Sequence, residues 1–95
     1  LNADKPFDRF VVEQLAGDLL PAAGRDERTG TGFLALGSLA IVGGGRDQFR
    51  LDRADDQIDV ASRAFLGLTV ACARCHDHKT DPIGTRDYYA LAGVF

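Results

Sequence analysis

Residues 52–71 read DRADDQIDVASRAFLGLTVA, and the way this stretch folds decides the architecture of the chain. From Asp52 to Ser62 acidic and basic residues alternate around Ile58 and Ala61, and Phe65 and Leu68 continue the same face at helical spacing. That pattern predicts a long amphipathic helix. The second half is ambiguous in isolation, because Phe65 to Ala71 is an apolar run containing Thr69 and Val70 that a buried strand would also satisfy. The register carried from Asp52 favours helix, so the expectation is one long helix running toward the cysteine pair that follows.

Toward the N-terminus, Asp4 offers an N-cap, Pro6 suits a first turn, and Phe7, Phe10, Val11 and Leu15 recur at helical spacing until Pro21 ends the segment. Ala22 to Arg28 reads as a polar connection. Gly30 to Val42 carries Phe33, Leu34, Leu36, Leu39 and Ile41, which predicts a short helix weakened by Gly32 and Gly37. Gly43, Gly44 and Gly45, followed by Arg46, Asp47 and Gln48, read as a flexible loop. Beyond the cysteines, Lys79 to Gly84 reads as a turn, and Thr85 with Asp87 opens a last helix through Tyr88, Tyr89, Leu91 and Phe95. The expected fold class is all-α: a small bundle of three to four helices with long loops, its motif at the end of the longest helix.

Ninety-five residues with 45% apolar composition suit a single domain over 1–95. The way the chain opens at Leu1 and Asn2 and stops at Phe95 reads as a fragment of a longer protein. Net charge is −3 and the basic residues are scattered among the acidic ones, which gives nucleic acid little to hold. The longest nearly uncharged stretch, Thr29 to Gly45, is broken by glycines, which argues against insertion in a membrane. Two cysteines three residues apart cannot staple distant segments, so their value is local.

Those cysteines stand in the run Cys72, Ala73, Arg74, Cys75, His76. Two thiols at this spacing followed directly by histidine form the pattern of c-type haem attachment, in which the thiols meet the two porphyrin vinyl groups and the imidazole reaches the iron. On an α-helix the three side chains fall at i, i+3 and i+4 and share one face. The expected cofactor is one covalently attached haem c, with Cys72, Cys75 and His76 binding it and His76 as the metal ligand. The chain has no Met, and its only other His, His78, sits two positions from His76 and points about 100° or more away on a helix. Lys79 is a poor candidate on the same local ground. A sixth ligand then comes from outside the chain or from a weaker Lys or Tyr, or the iron is five-coordinate and open to small molecules.

The two cysteines admit three other readings. They could be inert small residues at a helix end, a dithiol redox pair without the βαβ scaffold that such sites favour, or a metal site with His78 and Asp81 that lacks the distant second ligand pair usual for structural zinc. Asp77, His78 and Asp81 could carry protons or hydrogen-bond propionates, or simply form a polar helix end with Asp81 and Pro82 opening a turn. Asp55, Asp56 and Asp59 read as a solvated helix face paired with Arg53 and Arg63. Tyr88 and Tyr89 read as core and rim of the last helix. The function expected is electron transfer or haem-based redox chemistry, with enzymatic activity left open. The alternative is a non-haem structural or interaction domain with a metal or dithiol at Cys72 and Cys75.

The run from Cys72 to Ile83, CARCHDHKTDPI, is preceded by RAFLGLT at 63–69 and followed by DYYALAG at 87–93. Together with NADKPFD at 2–8, EQLAGDLLP at 13–21 and TGFLALG at 31–37, it resembles a planctomycete cytochrome-c-like domain family of unknown function. The resemblance covers nearly the whole chain. It implies a module within a larger polypeptide, other domains of that polypeptide or a redox protein as partners, and a periplasmic or secreted setting. Cys72, Cys75 and His76 carry over as haem positions, whereas Asp77, His78, Lys79, Asp81 and Pro82 match a motif without an established role.

Overall fold

The computed structural model describes residues 2–37 and 45–95. Helices and turns account for all regular structure among the described residues, so the chain is a small all-α protein. It falls into two compact units, Leu1–Leu36 and Gly37–Phe95. The part of the expected Gly30–Val42 helix beyond Gly37 and the glycines at 43 and 44 lie outside the described residues.

In the first unit, α1 spans Phe7–Ala16 with Pro6 as N-cap. Asp4 does not cap it; with φ at 46° it forms a left-handed turn ahead of the helix. The helix also ends five residues before Pro21, in a 3₁₀ turn over Gly17–Leu19. Gly17 marks a close approach, since a Cβ there would overlap the Glu27 carbonyl. That carbonyl belongs to α2, Arg25–Gly30, which forms where the sequence reads as a polar connection. Its start is fixed by Glu27, whose carboxylate accepts the Gly24 N–H at 2.9 Å in half of a capping box. A 3₁₀ helix over Thr31–Ala35 then packs against α1. The buried side chain of α1 is Glu13, bonded by Lys5 and by Arg9 Nε at 2.8 Å, while Phe7 remains 70% exposed.

In the second unit, α3 spans Arg46–Leu66 and so takes in Arg46 to Gln48, expected as loop. Asp47 in the first turn complements the helix dipole, and Gln48 Nε2 donates to Asp52 Oδ1 one turn on, at 2.8 Å. The helix stops before the cysteines. Gly67 adopts φ 67°, ψ 22°, and the N–H groups of Gly67 and Leu68 both return to the Ser62 carbonyl, the left-handed ending that glycine permits. The apolar run is therefore neither a strand nor one unbroken helix: Phe65 and Leu66 end α3, residues 67–69 leave it, and the motif does not sit at the end of the longest helix. It occupies a separate 3₁₀ helix, Val70–Arg74.

The last helix, α4, spans Thr85–Ala92, with Gly84 as N-cap and Asp87 accepting the Gly84 N–H at 2.9 Å. Ile58 of α3, Val70 and Ala73 of the 3₁₀ helix and Tyr88 of α4 form the core, with Leu68, Ile83, Leu91 and Ala92 packed against it. Fully burying Ile58 contributes roughly 1.5–3 kcal/mol. Among the described residues no helix is long and apolar enough to cross a membrane.

Candidate functional site

A 3₁₀ helix has 3.0 residues per turn, so side chains at i and i+3 eclipse along one line. Val70 and Ala73 form one such line and are buried; Ala71 and Arg74 form a second, half-buried; Cys72 and Cys75 form the third, which is exposed. Both thiols are free. The two cysteines thus share a face, as expected, but through 3₁₀ eclipsing rather than α-helical spacing, and the residues between them serve the fold. Ala73 is wholly buried in the core.

Arg74 is clamped to the long helix. Its Nη1 donates to Asp55 Oδ2 and its Nη2 to Asp52 Oδ1, each at 3.0 Å. Asp55 in turn accepts the buried Tyr88 hydroxyl at 2.6 Å, and the Tyr89 hydroxyl donates to the Arg74 carbonyl at 3.3 Å. The bond it donates to Asp52 raises the pKa of the Arg74 guanidinium, while Gln48 and then Arg74 hold Asp52 below the usual carboxylate range. Burial first, and Asp55 second, push the Tyr88 phenol well above its ordinary value. Asp55 is therefore a hub between α4 and the motif rather than part of a solvated face. Asp59 does pair with Arg63 as the sequence predicts, at 2.7 Å. Tyr88 and Tyr89 are core and rim, also as expected.

His76 lies just past the 3₁₀ helix and is exposed. Its Nδ1 stands 2.8 Å from the Asp77 carbonyl, which can only accept, so Nδ1 carries the proton and Nε2 keeps its lone pair. The Asp77 carboxylate is itself held by the Thr85 N–H at 2.8 Å. His78, by contrast, is turned inward: Thr69 Oγ1 meets its Nε2 at 2.8 Å, and its Nδ1 is met by the backbone N–H of Thr80 and of Asp81. Among the described residues no three His, Cys, Asp or Glu side chains are grouped to hold a metal ion, so a set made of Cys72, Cys75, His78 and Asp81 is not assembled.

The donor set fits a c-type haem in its chemistry: two free, exposed thiols on one line, then an imidazole whose inner nitrogen is engaged and whose outer nitrogen meets no partner among the described residues. No sequence pattern signals the Arg74 clamp or the bond between Thr69 and His78. Their partners lie 19, 22 and 9 residues away, beyond any local pattern.

No curated protein and no solved structure matches the chain. One family model, PSCyt2, described as a protein of unknown function (DUF1549), matches residues 1–95. Because the match spans the whole chain, the protein belongs to PSCyt2, a planctomycete cytochrome-c-like domain family whose function is unknown.

Proposed function

We propose that this chain is a c-type haem-binding module that would take one haem covalently through Cys72 and Cys75, with His76 Nε2 as a ligand of its iron. It serves electron transfer or haem-based redox chemistry within a larger extracytoplasmic protein, where other domains or a redox protein are its partners. The observation that carries this reading is the single exposed line of two free thiols beside an imidazole with an open Nε2. A bound haem supplies one-electron chemistry at its iron. The chain's own residues would do the rest: Cys72 and Cys75 anchor, the Asp77 carbonyl orients the His76 ring, and Asp52 and Asp55 hold the linker between the thiols through Arg74. The chain offers no Met as a further iron ligand, and both ring nitrogens of His78 are engaged. A sixth ligand, where there is one, is supplied from outside these residues or by a weaker group.

Expression with the c-type maturation machinery tests the reading. A pyridine haemochrome spectrum and a haem stain on a denaturing gel are expected to show one covalent haem per chain, lost when Cys72→Ala and Cys75→Ala are combined. Wild-type chain that leaves the machinery without covalent haem would sink the proposal. The exposure and alignment of the thiols also favour one other reading, a non-haem dithiol site. Insulin reduction by an apo chain that shows no Soret band would decide for it.

A further inference from the structure

We infer that the two histidines of the motif are held in opposite tautomers, with His78 a positioning residue that closes the loop presenting His76. This rests on the reading of His76 as the ligand-bearing ring, but it concerns the chain without any bound group.

The assignment follows from what each partner can do. A backbone N–H only donates, and His78 Nδ1 has two around it, from Asp81 at 3.0 Å and Thr80 at 3.3 Å. That nitrogen therefore accepts, the ring proton sits on Nε2, and Nε2–H donates to Thr69 Oγ1 at 2.8 Å. The Thr80 hydroxyl is a further neighbour of Nδ1 at 3.5 Å. One contact runs the other way, since Asp81 Oδ2 stands 3.2 Å from the same Nδ1. Two amides fixed by the backbone outweigh one swivelling carboxylate that is 38% exposed, so Nδ1 keeps its lone pair. His76 is the mirror case, with the Asp77 carbonyl demanding a proton on Nδ1.

The position of these bonds along the chain gives His78 its role. Thr69 lies just before the cysteine-bearing 3₁₀ helix, and Thr80 and Asp81 lie just after His76. The His78 side chain, only 7% exposed, thus ties the segment entering the motif to the segment leaving it. Its own N–H is bonded to the Ile83 carbonyl at 2.8 Å, and Asp77 is pinned by Thr85. The carbonyl that orients His76 is in this way held on both sides. Buried side-chain bonds of this kind fix one geometry because releasing any partner leaves a polar group unpaired. With both nitrogens occupied, His78 has none left for iron, and His76 Nε2 is the open imidazole nitrogen of the motif.

Long-range proton–nitrogen NMR spectra of the nitrogen-15-labelled apo chain in mildly alkaline buffer test this, with His76→Gln identifying each ring. His76 is expected as the single Nδ1–H form and His78 as the single Nε2–H form. Two rings in the same tautomer, or a His78 ring that averages or carries both protons, would overturn the inference. His78→Asn, whose amide oxygen can replace the Nδ1 acceptor, is expected to leave His76 in its Nδ1–H form. His78→Leu, with helical circular dichroism retained, is expected to let His76 average between tautomers; an unchanged His76 would remove the positioning role. If His78→Leu fails to fold, the wild-type and His78→Asn spectra still decide. Because no haem is present, these spectra stand or fall separately from covalent attachment. The expected tautomers in a chain that never takes haem would refute the proposed function alone.

Discussion

The Tyr88 hydroxyl donates to Asp55 Oδ1 across 2.6 Å and 33 residues of sequence, joining the last helix to the longest one. The other oxygen of the same carboxylate takes Arg74, the residue between the two cysteines. One side chain on α3 thus sets both α4 and the motif.

Tyr88→Phe keeps the packing of the ring and removes that bond. Hydrogen bonds to a charged acceptor are worth roughly 1.5–3 kcal/mol, and partly exposed Asp55 regains some hydration, so a loss of about 1–2 kcal/mol is expected in urea unfolding. The wild type carries an alkaline signature that the variant lacks. The unfolded phenol releases its proton near pH ~10, whereas burial and Asp55 keep it bound in the folded chain well above that. Above pH ~10 the unfolded state binds fewer protons, and wild-type stability falls with rising pH. The two stability curves should converge there; curves that stay parallel would refute the account.

Arg74→Lys tests the clamp. A lysine ammonium is a single point charge and cannot span Asp52 and Asp55 as the guanidinium fork does. Arg74 and Asp55 are each 28% exposed, so screening limits the Asp55 arm to about 1 kcal/mol, read as a lower urea midpoint with unchanged slope.

Gly67→Ala isolates a backbone effect, since a Cβ at this position meets no atom within 4 Å. With φ at 67° the added Cβ costs about 1–2 kcal/mol through left-handed strain alone. Gly67→Asn should lose less, because asparagine tolerates this conformation better. Thermal unfolding of the three proteins would order them Gly, Asn, Ala; an alanine variant as stable as wild type would remove Gly67 as the reason α3 stops at Leu66.

Glu13→Gln addresses the first unit. The bond from Arg9, and next that from Lys5, hold the Glu13 carboxyl below the usual glutamate range. A depressed value contributes stability that is present above the unfolded pKa of ~4.3 and is lost as pH falls through the folded value. The variant is expected to be less stable at neutral pH and to show a flatter acid limb in a series of denaturant midpoints. An acid limb as steep as that of wild type would argue against the pairing.

Much of the fold was legible because helical periodicity is local. Ile58 and Tyr88 are readable as buried from their spacing, and Thr85 with Asp87 as the start of the last helix, although the N-cap falls one residue earlier, on Gly84. α2 was missed because its capping box carries a glycine where a Ser or Thr would advertise it, leaving only Glu27 as a signal. The end of α3 was misplaced because an apolar run has the same pattern on both sides of Gly67, and only the left-handed φ of that glycine breaks it.

Residue types and their short-range spacing establish which atoms are available for chemistry: two thiols three apart, an adjacent imidazole, no methionine, and helix-forming periodicity around them. The folded arrangement is what makes the cysteines eclipse on a 3₁₀ helix, fastens Arg74 to Asp52 and Asp55, and locks His78 inward while His76 is exposed. Each of these depends on where distant backbone and side-chain partners come to rest, and a hydrogen bond has a direction that residue spacing alone does not encode.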